Sequence, residues 1–116
     1  MKLHHVFAPI LLLIVLLGLA NAQTSIRWTQ LRMCEHHHFQ GKCHSLEPMS
    51  SGCRKVPLPI YRQVSSYRVT NGCCTFYLTD DCKLRIFSAT NREDATLDGK
   101  HNDAIQAYRC WFDCQA

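Results

Sequence analysis

The stretch CEHHHFQGKCH, residues 34 to 44, combines residue types that bind transition metals. On an extended strand Cys34, His36 and His38 would share one face, because side chains alternate along a strand. His44 could join them from a returning strand. Zinc takes four nitrogen or thiolate ligands in a tetrahedron, so this set is a candidate zinc site. The alternative is a hairpin tip with solvent-facing imidazoles, which would form a pH-sensitive positive patch.

The N-terminal residues predict which compartment the cysteines meet. Lys2 precedes an apolar run over residues 10–20, and small residues follow it up to Ala22. This order is typical of a secretory signal peptide, and it predicts cleavage between Ala22 and Gln23. No second apolar run follows, so we expect a secreted, extracellular chain without a membrane anchor.

The cysteine content agrees with secretion. Removing 22 of the 116 residues leaves 94, and these contain all eight cysteines. A short secreted chain with so many cysteines is typical of a disulfide scaffold. We expect every cysteine to be bridged, in a pairing that the sequence leaves open: Cys34, Cys43, Cys53, Cys73, Cys74, Cys82, Cys110 and Cys114. The adjacent Cys73 and Cys74 should have different partners, because a bridge between neighbours closes a strained ring.

Oxidation argues against the metal site. A bridged sulfur is no longer an anionic ligand, so Cys34 would be lost to zinc. The imidazoles of His36, His38 and His44 would then be the only ligands, and they do not form a catalytic motif such as HExxH. We therefore expect a solvent-facing hairpin tip, no metal and no other cofactor.

Charge is distributed unevenly along the chain. Residues 23–72 carry seven basic and two acidic side chains, whereas residues 73–116 carry five basic and seven acidic ones. A mildly basic half could attract an acidic partner or an anionic cell surface. The excess is too small and too scattered to indicate a nucleic-acid-binding protein.

The remaining pattern predicts one all-β domain over residues 23–116. Short alternating stretches recur as SSYRVT, CTFYL, KLRIFS and AIQAYRC, and helical periodicity is poor. Asn71-Gly72 lies between the first two stretches and predicts a two-residue hairpin turn. SSYRV at residues 65–69 also matches QAYRC at residues 106–110, so we expect a duplicated four-strand unit.

These features resemble the βγ-crystallin Greek-key family. Phe39 and Gly41 fit the second aromatic residue and the glycine of its folded-hairpin motif, and residues 65–82 resemble the junction between two motifs. The resemblance implies a small β-sandwich of two Greek-key motifs, over about residues 31–70 and 73–112. In the first motif Cys34 replaces an aromatic residue.

The second motif departs further from the family pattern. It keeps Tyr77 but has Cys82 for the second aromatic residue and Leu84 for the glycine. Leu84 predicts that the second hairpin folds differently, since glycine allows a positive φ there. The cysteine substitutions resemble a small secreted, cysteine-rich, toxin-like branch of the family. That branch includes fungal proteins, plant antimicrobial peptides, killer toxins and microbial peptidase inhibitors.

The resemblance also implies a test for calcium. Many microbial members bind calcium through two Asn or Asp residues followed by a pair of hydroxyl residues. Residues 61–66 end in Ser65 and Ser66 but lack the acids, whereas residues 102–107 have Asn102 and Asp103 but lack the serines. One hybrid site is conceivable and two are not; the alternatives are a turn and a structural hydroxyl pair.

The sequence offers one candidate segment for peptidase inhibition and no known motif for enzymatic catalysis. GCRKVPLPIY, residues 52–61, could present Arg54 and Lys55 to a trypsin-like protease; the alternative is a proline-stiffened connection between strands. Signatures of enzymes such as GxSxG or a phosphate-binding glycine loop do not occur in the sequence.

We therefore predict a monomeric, non-enzymatic secreted factor of the toxin, antimicrobial or effector type. It would bind an extracellular protein or a cell-surface component, and no nucleic acid. A peptidase inhibitor and an extracellular calcium binder are the alternatives.

Overall fold

In a computed structural model of the protein, residues 27–114 are described, and they form short strands with no α-helix among them. The predicted signal peptide and its cleavage position at Ala22 and Gln23 lie outside these residues. No helix within the described part is both long and apolar enough to cross a membrane. The strands are β1 (Gln30–His36), β2 (Gln40–Leu46), β3 (Arg54–Lys55), β4 (Ser66–Thr70), β5 (Cys73–Tyr77), β6 (Arg85–Thr90), β7 (Glu93–Asp94) and β8 (Ala107–Trp111). Single-turn 3₁₀ helices cover His37–Phe39, Leu58–Ile60 and Gly99–His101.

The strands form two antiparallel four-stranded sheets. The first sheet has the order β2-β1-β4-β7 and the second has the order β3-β8-β5-β6. Each half of the chain contributes three strands to one sheet and one short strand to the other. This exchange between halves is the arrangement expected of two Greek-key motifs, and the all-β sandwich expected from the sequence is confirmed.

The duplication extends to single backbone conformations. Arg62 and Asp103 occupy matching places in the two halves, and their φ angles are 58° and 59°. Phe39 and Cys82 also match, with φ of 59° and 57°. Side chains other than glycine adopt this left-handed region only rarely. The two halves therefore keep the same left-handed conformation at these two pairs of positions although their residues differ.

The first turn also contains Gly41, whose φ is 77°. Its counterpart Leu84 is not among the described residues with positive φ. The prediction that the second hairpin folds differently is therefore confirmed.

An aromatic cluster joins the two sheets. Phe76 of β5 is fully buried, and its ring centroid lies 5.1 Å from that of Tyr67 in β4 and 4.9 Å from that of Phe87 in β6. Leu31, Met33, Val69 and Ile105 pack into the same core. Alternation along each strand sends these side chains inward and sends residues such as Arg68 outward.

The Asn71-Gly72 turn does not form the predicted hairpin, and that prediction is wrong. β4 and β5 belong to different sheets, so the turn carries the chain across the sandwich. Asn71 donates a side-chain hydrogen bond to the carbonyl of Arg27, and the carbonyl of Asn71 accepts one from Thr29. Gly72 has φ of 150°, which is far from the αL value that a type I′ turn needs at this position. Hydrogen bonds to the segment just before β1 thus outweigh the local hairpin preference.

We expect Gly72→Ala to destabilise the fold by about 2 kcal/mol or more, because the backbone conformation is one that is open essentially to glycine alone. A Cβ atom at this position would lie 2.2 Å from Oγ1 of Thr29 and 2.5 Å from the carbonyl oxygen of Trp111. Thermal unfolding measures the effect. Gly52→Ala is the matched control, since its Cβ would meet only Ser50 Oγ at 3.5 Å. Equal stability of the two variants would contradict the prediction.

All eight cysteines are bridged, as the sequence predicted. The pairs are Cys34–Cys43, Cys53–Cys82, Cys73–Cys114 and Cys74–Cys110. The neighbours Cys73 and Cys74 therefore have different partners. The first pair joins β1 to β2, and each of the other three joins segments in or beside the second sheet. Four bridges in so small a domain are compatible with an extracellular protein.

Candidate functional site

The histidine run lies at the tip of the β1–β2 hairpin. His36 ends β1, and His37 and His38 lie in the 3₁₀ turn, with all three side chains exposed. The solvent-facing hairpin tip is therefore confirmed. The assumption that Cys34, His36 and His38 share one face is wrong, because the strand ends at His36 and His38 has φ of 58°.

The tip also does not assemble a metal site from the predicted ligands. His44 lies on β2 opposite Met33, and Cys34 is bonded to Cys43. His36 Nε2 lies 3.3 Å from Glu35, and His37 Nε2 lies 3.1 Å from the carbonyl of Leu97. Within residues 27–114 no three His, Cys, Asp or Glu side chains are placed to hold a metal ion.

The structure brings together one half of the calcium pattern from each motif. The hydroxyl of Ser65 donates to Oδ1 of Asp103 over 3.3 Å, and the backbone N–H of Asp103 donates to the carbonyl of Val64. The side-chain oxygen of Asn102 is buried and has no hydrogen-bond partner among the described residues. Ser65 and Asp103 thus bring two oxygen-bearing side chains together, whereas calcium takes 6–8 oxygen ligands. The residues fit part of a calcium site.

The symmetry-related position does not fit calcium. Arg62 stands where Asp103 stands in the other half, so a cation replaces the carboxylate. Gln106 replaces the hydroxyl residue, and its side-chain amide lies 2.9 Å from the hydroxyl oxygen of Tyr61. The exclusion of two equivalent sites agrees with these contacts.

The predicted inhibitor segment lies along the edge of the second sheet. Arg54 and Lys55 form β3 and pair with Tyr108 and Ala107 of β8. Both side chains are exposed, but Lys55 lies 3.7 Å from Asp80 and 4.7 Å from the ring centre of Tyr61. The segment is therefore the connection between strands that was the alternative interpretation, rather than a projecting loop.

The tip of the β5–β6 hairpin is held by polar contacts. Tyr61 donates a hydrogen bond to Asp80, and this bond is the main cause that raises the pKa of the Tyr61 phenol. Asp81 accepts a hydrogen bond of 2.7 Å from Thr79, which lowers the pKa of the Asp81 carboxyl. The stability that the ionised Asp81 contributes is fully present at pH values above the ordinary carboxyl pKa. It is lost as the pH falls through the lowered pKa of the folded protein. These contacts fix the turn between β5 and β6.

An aromatic cluster lies at the surface beside the chain ends of the domain. The ring of Trp28 stacks on Phe112 with centroids 5.7 Å apart, and Trp111 lies 5.9 Å from Trp28. Trp28 and Trp111 are half-buried and Phe112 is exposed. The Cys73–Cys114 bridge fixes the segment that follows Trp111. The cluster is therefore rigid and partly open to solvent.

A polar row that the sequence does not reveal crosses the outer face of the first sheet. Arg32 of β1 lies directly opposite Arg68 of β4, and the row continues to Ser45 on β2 and Glu93 on β7. Arg32 donates to the hydroxyl of Ser45 over 2.9 Å, and Arg68 lies 2.6 Å from Glu93. The excess of basic residues in the first half indicated a basic surface. Only the strand pairing shows that two of its arginines are neighbours.

The comparisons with known proteins establish the fold. No protein-family model matches the sequence, and no curated protein matches it. Among solved structures, a βγ-crystallin from an archaeon is 18% identical, covers 72% of this chain and 98% of its own, and has a TM-score of 0.60. A βγ-crystallin domain from Clostridium beijerinckii is 15% identical, covers 71% and 97%, and has a TM-score of 0.59. The fifth crystallin domain of the non-lens protein Absent in melanoma 1 is 14% identical, covers 76% and 92%, and has a TM-score of 0.60.

Proposed function

We propose that this chain, which has the βγ-crystallin fold, is a secreted, non-enzymatic protein that acts outside the cell by binding. The proposed class is a toxin, antimicrobial or effector whose target is a protein or surface component of another cell. The observation that carries the proposal is the pairing of all eight cysteines within residues 27–114. Such bridging is typical of small domains that must persist in an oxidising, protease-rich environment.

Expression of the full sequence in a eukaryotic secretory host tests the first part of the proposal. We expect the protein in the medium, with a chain that starts at Gln23 and a mass lower by eight hydrogens than that of the reduced chain. Intact-mass measurement with and without reductant reads both values. A chain that stays in the cell, or that carries free thiols, would contradict secretion as an oxidised protein.

The second part is tested by applying the folded protein to fungal and bacterial cultures and to plant tissue. We expect growth inhibition or a tissue response at micromolar concentration. Reduced and alkylated protein is the control, because loss of the bridges should remove the fold and the response together. A folded protein that is inert on every culture and tissue would contradict the proposed class.

A calcium-binding function is the second candidate, and the approach of Asp103 to Ser65 favours it. With the side-chain oxygens of Ser65 and Asp103 as ligands, a dissociation constant of about 1 mM is reasonable for an extracellular module. At that value 10 mM calcium stabilises the fold by about 1.4 kcal/mol. We expect a rise in Tm that EDTA reverses and that Asp103→Ala abolishes, whereas Asp98→Ala should keep it. No shift with calcium would remove this candidate.

Peptidase inhibition receives less support from the contacts of Arg54 and Lys55. An inhibitor presents a rigid loop that enters a protease cleft, and these two residues lie in an edge strand with Lys55 held between Asp80 and Tyr61. A protease panel tests the hypothesis. Stoichiometric inhibition that is lost in Arg54→Ala and Lys55→Ala would restore it.

A further inference from the structure

The outer face of the first sheet carries a pair of arginines of which the fold pairs only one with a carboxylate. Arg32 and Arg68 are direct cross-strand neighbours, and like charges in this relation destabilise a sheet. Arg68 is paired with Glu93, but no carboxylate of residues 27–114 forms an ion pair with Arg32. The guanidinium of Arg32 has Ser45 as its hydrogen-bond acceptor and keeps further donors for a ligand.

The arginines lie in a shallow trough that continues beyond them. Its central cavity of about 350 Å³ is lined by Gln30, Arg32, Ser45, Glu47, Arg68 and Thr70. A second cavity of about 380 Å³ shares three of these residues and adds Arg27, Trp28 and Asn71. A third cavity of about 330 Å³ shares Arg68 and Thr70 and adds Arg92. Because they share lining residues, the three cavities are contiguous. The trough crosses the first sheet, whose four strands are together about 14 Å wide.

The lining of this arginine trough has three kinds of chemistry. Arginine offers paired N–H groups that match a carboxylate or sulfate. Amide and hydroxyl groups, here those of Gln30 and Thr70, suit the hydroxyls of a sugar. Trp28 presents an aromatic surface at one end, and it is held by its packing on Trp111 and Phe112. An aromatic ring with polar groups around it is suited to an apolar sugar face.

We propose that the arginine trough binds acidic oligosaccharides. This inference rests on the proposed function, and it names the chemical class of the surface component that is bound. The charge of the lining favours an acidic ligand. Four arginines line the three cavities, compared with only two carboxylates, those of Glu47 and Glu93. The carboxylate of Glu47 can accept a hydrogen bond from a sugar hydroxyl. A polyphosphate chain has no such hydroxyls to donate, so the same carboxylate would only repel it.

Calorimetric titration of the folded, oxidised protein tests the proposal. The probes are a hexamer of galacturonic acid, a heparin-derived hexasaccharide, a neutral hexamer of N-acetylglucosamine and inorganic polyphosphate. We expect at least one acidic sugar to bind about tenfold or more tightly than the neutral sugar, with affinity that falls as salt is added. The two acidic probes distinguish carboxylate from sulfate as the recognised group.

Variants locate the binding. We expect the double variant Arg32→Gln, Arg68→Gln to bind the acidic sugar with an affinity lower by about tenfold or more, because two charge-assisted contacts are lost. Arg85→Gln is the matched control, since Arg85 is exposed on β6 of the other sheet, and it should change affinity by less than about twofold. Trp28→Ala should lower the affinity for the acidic sugar but leave the salt dependence of that affinity unchanged.

Three results would overturn the inference. The first is equal affinity of the protein for the acidic and neutral sugars, and the second is wild-type affinity for the acidic sugar in the double variant. The third is polyphosphate binding that is as tight as acidic-sugar binding and that is unchanged in Trp28→Ala. Circular dichroism and thermal unfolding confirm that each variant is folded.

The culture and tissue assay separates this inference from the proposed function. If the wild-type protein and the double variant are equally active on cells and neither binds acidic sugar, the inference fails while the proposed function stands. If acidic sugar binds in the trough but no culture or tissue responds, the proposed function fails while the inference stands.

Discussion

Phe76→Ala should destabilise the protein by about 3–5 kcal/mol, which is the usual cost of deleting a buried phenylalanine ring. Phe76 is fully buried in β5, and its ring contacts Tyr67 from the opposite sheet and Phe87 from the neighbouring strand. Truncation leaves a cavity where the two sheets meet. Because small domains are stable by only about 5–15 kcal/mol, the variant should lose a large part of its stability.

Chemical denaturation of the oxidised protein measures this loss. Phe112→Ala is the matched control, since it removes the same side chain from a position where 42% of the residue is exposed. We expect the control to cost less than about 1 kcal/mol. Similar losses in the two variants would show that Phe76 does not hold the sheets together.

Removal of the Cys53–Cys82 bridge should have an effect of similar size. The bridge links the segment before β3 to the β5–β6 turn with a sequence separation of 29, and no other bridge among residues 27–114 shortens this loop. The entropy of closing such a loop corresponds to about 3.5 kcal/mol, which for a domain of this size lowers Tm by about 15–30 °C. The measurement is thermal unfolding of the double variant Cys53→Ala, Cys82→Ala without reductant.

The Cys34–Cys43 bridge provides the internal comparison. It joins directly opposite residues of neighbouring strands, and its sequence separation is only 9. The same estimate gives about 2.5 kcal/mol for its removal. We therefore expect the Cys53–Cys82 double variant to unfold at the lower temperature. The reverse order would mean that loop closure does not set the contribution of these bridges.

The strands of this fold could be predicted largely because their patterns are local. The stretch SSYRVT contains β4, and the stretches CTFYL, KLRIFS and AIQAYRC overlap most of β5, β6 and β8. Strand pairing was harder, since it depends on contacts far apart in sequence. The Asn71-Gly72 turn has the residues of a hairpin, but Thr29 and the carbonyl of Arg27, more than forty positions away, hold it in a crossing conformation.

The candidate sites show the same division. The half-patterns at Ser65 and Asp103 could be found in the sequence, and the duplicated fold brings them within 3.3 Å. The proposed sharing of a face by His36 and His38 failed because a strand boundary falls between them. The arginine pair had no sequence signal of its own, since Arg32 and Arg68 become neighbours only through the β1–β4 register.

The bridges stay within the sheets: among residues 27–114, none joins a strand of the first sheet to a strand of the second. Among residues 27–114 the two sheets are therefore held face to face by the apolar core around Phe76 and by the connecting backbone. We expect unfolding by heat or acid without reductant to leave all four native pairs intact, so that the protein refolds on cooling or neutralisation without forming any new disulfide.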